Sequence, residues 1–384
     1  MTRLPDETAE AAALMRAFAA RTAVPPRAGM PRRYLWTDAF ALVNLLHLAG
    51  NGDREAAETA RALVKAVHDV LGSFREDDSR TGRRAKGADG ACRPTAGGLR
   101  IGKLLPERGP DDPSDERLEW ERDGQYFHYL TKWMDALVRA SAILREPDYL
   151  RDAMELAESV VPRFLVRGPS GEPQGVAWKM STDLTRPLVS ATSPHDALDG
   201  YVTLREIETV AGSDGLSAVA GTLRDLTAGH RWLTADPLGL GGLLLDAARI
   251  VTAGAADPFD QRLTAEILAD VAAGLRHYLA DDPLRQPPRS RLAFRELGLA
   301  IGLQTVPAMS AAAGPSGDLA RAVDAPLREL SGAAPLAGGI TAWWAVEERR
   351  RDPVFAEHRD INEVMLATAL LGAQARTLRA LAPA

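Results

Sequence analysis

The feature that most constrains the fold is a helical hairpin between Glu119 and Leu165. Apolar residues recur at helical spacing up to about Leu144, a tight turn follows at residues 145–147, and a second periodic stretch runs on to Leu165. Pro147 suits the first position of that second helix, because a proline there loses no helical hydrogen bond. The stretch therefore predicts two packed helices joined by a short turn.

The rest of the chain repeats this alternation of two kinds of helix. One kind is rich in Gly, Ala and Leu, as expected of an inner helix buried on most sides, and the other carries the charged face of an outer helix. The predicted inner helices are 38–50, 124–144, 194–211, 237–253, 291–309 and 361–382. The predicted outer helices are 54–72, 148–165, 214–228, 259–280 and 317–331. If helix 7–21 packs against 361–382, six hairpins close into an all-α ring; an open solenoid of stacked hairpins is the alternative.

Long links between the hairpins indicate where a functional site lies. The segments 73–122, 166–192 and 332–359 are predicted as loop inserts of a single domain spanning residues 1–384. Loops this long in a compact domain are usually functional or disordered. In a closed ring they share one rim with the N-terminal ends of the inner helices, where backbone N–H groups and the helix dipole favour polar ligands. The residues that read as N-caps are Asp38, Asp53, Ser193, Ser213, Asp236 and Asp360.

Composition and charge exclude several classes of protein. The net charge of -6 weighs against a nucleic-acid partner, which needs a basic surface. Cys92 is the single cysteine, so neither an intrachain disulfide nor a cysteine metal cluster is possible. No apolar run is long enough to cross a bilayer, and the N-terminus lacks the apolar core of a signal peptide. We expect a soluble, cytoplasmic protein with no membrane partner, metal or cofactor, and leave its oligomeric state open.

Helical hairpins alternating with long links resemble the six-hairpin (α/α)6-toroid superfamily, which holds many glycoside hydrolases and the N-acylglucosamine 2-epimerase-like sugar epimerases. The resemblance covers nearly the whole chain and depends on helix alternation and loop lengths. It implies one toroid domain with a carbohydrate substrate bound in a funnel at the inner-helix N-termini.

Aromatic and polar residues concentrate in the same links. Six of the seven tryptophans lie in or beside them, either as platforms for sugar rings or as hydrophobic anchors of large loops; they are Trp36, Trp120, Trp178, Trp232, Trp343 and Trp344. The predicted substrate-binding residues are Trp36, Trp120, Glu121, Gln125, Tyr126, His128, Tyr129, Trp178, His195, Asp196, Arg295, Arg359 and Asn362.

Paired carboxylates make a glycoside hydrolase the first functional prediction. Hydrolysis of a glycosidic bond needs one carboxyl group as acid and another as base or nucleophile. The candidates are Asp123, Asp199 and Glu296, with Asp38 as a substitute. Asp199 and Glu296 lie a turn inside mostly apolar helices, where an ionised carboxylate needs a partner or a wet cavity.

Three other functions stay open. The resemblance implies that a sugar epimerase or isomerase would use His358 as a proton carrier, with His195 or His128 as the second histidine, since the fourth inner helix has none. A non-catalytic helical binding protein could recruit an acidic ligand with the basic residues of the first insert, which are Arg83, Arg84, Lys86, Arg93, Arg100 and Lys103. The string Asp111, Asp112 and Asp115 matches the DDxxD metal motif of terpene synthases, but neighbouring prolines disfavour the helix that such a motif needs.

Overall fold

The structure, a computed structural model, describes residues 5–25, 32–80, 82, 93–113, 115–254 and 257–377, and this part of the chain is mainly helical. The helices are α1 (Pro5–Arg21), α2 (Leu35–Gly50), α3 (Arg54–Leu71), α4 (Glu116–Glu119), α5 (Phe127–Leu144), α6 (Pro147–Phe164), α7 (Pro194–Ala211), α8 (Ser217–Thr227), α9 (Pro237–Thr252), α10 (Pro258–Ala280), α11 (Ala293–Leu303), α12 (Val306–Ala313), α13 (Asp318–Ala333), α14 (Pro335–Ala345), α15 (Glu347–Arg350), α16 (Pro353–Glu357), α17 (Arg359–Leu371) and α18 (Ala373–Thr377). The strands are β1 (Gln125–Tyr126), β2 (Leu165–Arg167), β3 (Pro173–Val176) and β4 (Lys179–Met180).

The chain forms two compact units, Ala19–Ala228 and Met1–Phe18 together with Gly229–Ala384. The first part of α1 therefore belongs to the same unit as the C-terminal helices, where Glu10 pairs with Arg350 of α15 at 3.1 Å. The prediction of a single domain over 1–384 stays a prediction. No helix in the described ranges combines the length and apolarity needed to cross a membrane.

The unit 19–228 consists of three helical hairpins, α2–α3, α5–α6 and α7–α8. Helix α5 packs against α2 on one side and α7 on the other, so these three are the inner helices of the unit. Their apolar side chains are buried on nearly all sides, with Trp133 of α5 completely enclosed. Only one face of α3, α6 and α8 is buried, as the charged faces of outer helices predict.

The unit that contains Gly229–Ala384 repeats this arrangement. Helix α11 packs against α9 and α17, which are both buried on most sides, while α10 packs against α9 and α13 as an outer helix. Helix α14 also packs against α11 and α17. The two kinds of helix are therefore confirmed in each unit.

Several helix boundaries differ from the prediction for local reasons. The region 332–359, predicted as a loop, contains α14, α15 and α16, because the apolar residues of 335–345 bury Ile340 and Trp344 against α11 and α17. The predicted helix 291–309 is divided into α11 and α12. The predicted helix 361–382 breaks at Gly372, whose left-handed φ of 57° ends α17. Residues 378–382 lie outside the described part, as do Arg83, Arg84, Lys86 and Cys92.

The predicted caps divide into two groups. The side chains of Asp53, Ser193 and Asp236 each accept a backbone N–H in the first turn of the following helix, as predicted. The other three N-cap predictions, Asp38, Ser213 and Asp360, are wrong. Helix α2 begins earlier than expected, with Tyr34 as its N-cap, and α17 begins after His358. Glu208, rather than Ser213, holds the start of α8 by accepting from the backbone N–H of Leu216.

The insert 166–192 contains two short antiparallel pairings. Strand β2 pairs with β3, and β4 pairs with β1, which occupies the predicted start of the helix 124–144. In the second pairing Tyr126 lies opposite Lys179 and Gln125 opposite Met180. This pairing fastens the insert to the N-terminal end of α5.

Candidate functional site

Aromatic side chains from three regions meet at the N-terminal ends of α2 and α5. This aromatic cluster comprises Tyr34, Trp36, Tyr126, His128, Tyr129 and Trp178. Trp178 stacks on Tyr126 at 5.0 Å between ring centroids and is nearly parallel to the His128 ring at 6.3 Å. Trp36 contacts Tyr129 at 5.5 Å, again between centroids. The cluster thus brings together five residues predicted to bind substrate, together with Tyr34, which the sequence analysis did not single out.

Buried polar atoms without partners distinguish this cluster. Within the described residues, Trp36 Nε1, Tyr126 Oη and His128 Nδ1 make no hydrogen bond, and neither does Oδ2 of the adjacent Asp196. Buried polar groups are nearly always hydrogen-bonded, because losing water without gaining a partner costs about 1–3 kcal/mol per group. His128 Nδ1 and Asp196 Oδ2 face each other at 3.6 Å, and together with Trp36 Nε1 and Tyr126 Oη they leave hydrogen-bonding capacity for a polar ligand.

Two carboxylates of α7 face the same side of α5. Ser193 caps α7 and Pro194 begins it, so Asp196 lies in the first turn and Asp199 one turn later on the same face. Asp196 Oδ2 lies 3.6 Å from His128 Nδ1. Asp199 accepts from the hydroxyl of Thr131 and pairs with Lys132 Nζ at 2.8 Å.

The contacts between α5 and α7 follow from the helical spacing of the residues that make them. His128, Thr131 and Lys132 are three and four residues apart on α5, the spacing that places side chains on one helix face. Asp196 and Asp199 have the matching spacing on α7. Sequence reasoning missed Thr131 and Lys132, although this spacing from His128 was a signal that could have found them.

The tyrosines of the cluster are neutral hydrogen-bonding groups. Tyr34 and Tyr129 share a hydrogen bond between their hydroxyl oxygens at 2.6 Å. Burial raises the pKa of Tyr34, of Tyr126 and, most strongly, of Tyr129 above the ordinary tyrosine value. These phenols therefore stay protonated at neutral pH and contribute donors and ring faces rather than a general base.

Asp38 and Asp123 are buried in structural ion pairs. Asp38 lies 3.2 Å from Arg33 and accepts from the backbone N–H of Tyr34, so it fixes the start of α2. Asp123 pairs with Arg100 at 2.5 Å and accepts from the backbone N–H of Gly102 at 3.0 Å. Both carboxylates therefore hold loops in place.

Gln125 and Glu121 lie near these loops but differ in exposure. The Gln125 side chain is fully buried and donates to the backbone oxygens of Gly97 and Thr182. These two hydrogen bonds join the insert 73–122 to the insert 166–192. Glu121 is exposed to solvent in the link before β1.

The remaining predicted catalytic residues belong to the unit that contains Gly229–Ala384. Glu296 is buried in a two-point ion pair with Arg291 and also accepts from Trp344 Nε1 at 2.8 Å. The guanidinium of Arg291 in turn lies over the Trp343 ring, 3.8 Å from its centroid. Glu296 is therefore the centre of a closed structural network, and Trp344 is an anchor.

The other candidates of that unit are exposed or structural. Asn362 is buried and bridges the backbone of Phe294 and Phe355. Arg295 pairs with Asp236 at 2.7 Å on the surface. His358 and Arg359 are exposed at the start of α17. In the unit 19–228, His195 is half-buried in the first turn of α7.

The acidic string in the first insert forms turns and caps. Asp112 accepts from the backbone N–H of Gly109, and Asp115 accepts from those of Arg117 and Leu118 to cap α4. Two of the three carboxylates of the DDxxD match are thus used locally, which does not favour a metal-binding role.

Comparison with known proteins supports the fold. No protein family and no curated protein sequence matches the chain. A solved structure of a GH76 alpha-mannanase from Bacteroides thetaiotaomicron is similar over 95% of this chain and 98% of that chain, with a TM-score of 0.55 and 10% sequence identity. This likeness confirms the predicted all-α fold class. At this identity the likeness applies to the fold alone.

Proposed function

We propose that this chain is a carbohydrate-active enzyme, a glycoside hydrolase whose site lies between the aromatic cluster and the carboxylates of α7. The observation that carries the proposal is the aromatic cluster together with the incomplete hydrogen bonding of Trp36, Tyr126, His128 and Asp196. Sugars need both flat apolar faces and hydrogen-bonding partners, and this surface offers both. The fold shared with an alpha-mannanase supports the same class of substrate.

Asp196 and Asp199 are the proposed carboxylate pair. Asp199 is oriented by Lys132 and Thr131, and we assign it the role of nucleophile or base. The Oδ2 of Asp196 makes no hydrogen bond and lies 3.6 Å from His128 Nδ1, and we assign Asp196 the role of proton donor to the leaving glycosidic oxygen. Asp38, Asp123 and Glu296, by contrast, are each enclosed in an ion pair with an arginine, and we assign them structural roles.

The stereochemical outcome of cleavage reports on the separation of the pair. Retaining enzymes hold their two carboxyl groups about 5–5.5 Å apart, whereas inverting enzymes need about 6.5–9.5 Å for a water molecule. NMR of the nascent sugar measures whether the first product released keeps the configuration of the bond cleaved.

Asparagine variants test the proposal directly. Asp196→Asn and Asp199→Asn are each expected to lower kcat by about 10²–10⁴-fold, the usual contribution of a general acid or base. The assay uses α-linked mannooligosaccharides first and then α- and β-linked gluco- and galacto-oligosaccharides. The matched control is Asp148→Asn on α6, since Asp148 is 69% exposed and pairs with an equally exposed Arg151.

Two results would refute the hydrolase. One is parental kcat in both asparagine variants, and the other is the absence of cleavage by the parent across the whole panel. Circular dichroism and the melting temperature confirm that each variant is folded, so that a loss of kcat reports on chemistry. Binding of the oligosaccharides without any turnover would instead establish a binding protein.

The pairing of His128 with Asp196 favours a sugar epimerase or isomerase as the second candidate. A carboxylate beside one imidazole nitrogen orients the ring, and the ordinary pKa of histidine suits proton transfer near neutral pH. An epimerase would exchange the C2 hydrogen of a reducing monosaccharide for deuterium in D₂O, and His128→Asn would abolish the exchange. His358→Asn tests the other predicted histidine, and a hydrolase shows no exchange at all.

A further inference from the structure

Trp120 is an exposed aromatic side chain that none of the proposed chemistry uses. It directly follows α4, and half of its surface is accessible to solvent. Its ring centroid lies 4.4 Å from that of Trp178, with the two planes at 68°. A large apolar side chain gains nothing from exposure to water, so a Trp held in this way marks a contact surface.

The ring contacts connect Trp120 to the proposed catalytic residues without a gap. Trp178 is half-buried and contacts Trp120 on one side while it stacks on Tyr126 and faces His128 on the other. His128 in turn faces Asp196. A chain of ring contacts therefore joins the exposed Trp120 to His128, which lies beside Asp196.

Lys179 links the turn around Trp120 to the Tyr126 ring. Its side chain is fully buried, and its ammonium group donates to the backbone oxygens of Glu119 and Arg122, on both sides of Trp120. The same ammonium lies over the Tyr126 ring at 5.6 Å, and Lys179 is the neighbour of Trp178 in the chain. Burial lowers the pKa of Lys179, and such a desolvated cation is retained where its contacts fix a geometry.

We propose that Trp120 and Trp178 form a distal sugar-binding subsite, so that the enzyme binds oligosaccharide or polysaccharide chains more tightly than disaccharides. This inference rests on the proposed glycoside hydrolase function. Lys179 is a positioning residue of the subsite, because it fixes the turn that carries Trp120 against strand β4. The sugar bound at Trp120 lies away from the bond that is cleaved, so the subsite contributes to binding and not to the chemical step.

Chain-length dependence tests the subsite. With α-linked mannooligosaccharides of two to six units, Trp120→Ala is expected to raise KM for the longer members about three- to tenfold, as the loss of one aromatic contact predicts, with kcat unchanged. The disaccharide is expected to be unaffected. Leu104→Ala is the matched control, since Leu104 lies in the same insert and is 76% exposed but belongs to no ring contact. An equal effect of Trp120→Ala on all lengths, or no effect on any, would overturn the subsite.

Binding measurements separate this inference from the proposed function. Calorimetry with Asp199→Asn, which is expected not to cleave the ligand, measures affinity for the longest oligosaccharide with and without Trp120→Ala. Weaker binding in the double variant supports the subsite even if the parent hydrolyses nothing, whereas unchanged binding overturns it even if hydrolysis is established.

The positioning role of Lys179 has its own readout. Two indoles at 4.4 Å couple in circular dichroism, and Lys179→Met is expected to reduce this signal and to raise KM for the longer oligosaccharides, with kcat unchanged. If the Lys179→Met protein keeps the dichroism signal, the parental KM and the parental melting temperature, the lysine does not position Trp120.

Discussion

Two adjacent glycines of α9 give the sharpest test of how the helices pack. A β-carbon added at Gly241 would lie 2.1 Å from the backbone oxygen of Gly298 in α11, and one added at Gly302 would lie 2.7 Å from the Gly241 α-carbon. The two backbones are therefore in direct contact. A β-carbon added at Gly242, by contrast, would meet nothing within 4 Å. The pair Gly241→Ala and Gly242→Ala thus separates close packing from helix propensity.

The magnitudes follow from these distances. Replacing an unhindered glycine inside a helix by alanine stabilises it by about 1 kcal/mol, so Gly242→Ala is expected to gain roughly that amount. Gly241→Ala has the same gain in propensity, but α9 and α11 must move apart by more than 1 Å, since 2.1 Å is far inside van der Waals contact. Overpacking of this kind costs about 1–3 kcal/mol or more, and the separation also removes contacts along both helices. We expect a net loss of about 2 kcal/mol.

Thermal unfolding of the two variants measures the difference. About 3 kcal/mol between them corresponds to a gap in Tm of about 6–12 °C for a unit of 150–250 residues. The Gly242→Ala protein is expected to melt slightly above the parent, and the Gly241→Ala protein well below it. Equal Tm values for the two variants would refute the close approach of α9 and α11.

Two further predictions concern buried charges in the unit 19–228. Burial raises the pKa of Asp152 to about 6. Because this folded value exceeds the unfolded value, the stability that Asp152 contributes is present at low pH and is lost as the pH rises through 6. Asp152→Asn is therefore expected to raise the free energy of unfolding by about 1 kcal/mol at pH 7.5, after allowance for solvent screening, and not at pH 4, as urea titrations measure. The titratable or charged groups around Asp152 are His68 on α3 and Asp148, Arg151 and Glu155 on its own helix. Arg100→Met is expected to cost about 3 kcal/mol, because it leaves the buried Asp123 with only the more distant Arg75, at 4.0 Å, as an ion partner, and Arg100→Met with Asp123→Leu is expected to cost less. A single Arg100 variant with the urea midpoint of the parent would contradict this.

Hydrophobic periodicity was sufficient to predict the hairpins because it records burial directly. Inner helices such as α7 and α9 begin and end within one or two residues of their predicted limits, and each begins at a proline after a capping side chain. The glycine content of the predicted inner helices has a matching reason at Gly241, where the backbone of α9 contacts that of α11. Helix capping and burial of one helix face depend on residues that are close together in the sequence, so the sequence alone is sufficient to predict them.

The segments whose secondary structure was predicted wrongly, α14 and β1, depend on contacts with residues far away in the sequence. The helix α14 was predicted as loop because Pro335, Gly338 and Gly339 obscure its period, and its burial against α11 and α17 overrides that local preference. Gln125 and Tyr126 were assigned to a helix, but they pair with β4, more than fifty residues away. Neither contact leaves a periodic signal in the sequence.

The same limit explains which carboxylates could be recognised as functional. Asp199 and Glu296 share one sequence signature, an acid inside a mostly apolar helix, and that signature correctly predicts that each one needs a compensating partner. It cannot say whether the partner is an arginine that encloses the carboxylate, as for Glu296, or a lysine and a threonine beside an aromatic surface, as for Asp199. Asp196 appeared to be explained by its position at the N-terminus of α7, yet it is the carboxylate that faces His128 with an oxygen lacking a hydrogen bond to any described residue. An acid enclosed by an arginine, as Asp123 and Glu296 are, stabilises the fold, whereas Asp196 keeps an oxygen without a hydrogen bond that is available to a ligand. This difference lies in the three-dimensional contacts and not in the residue type or its helical position.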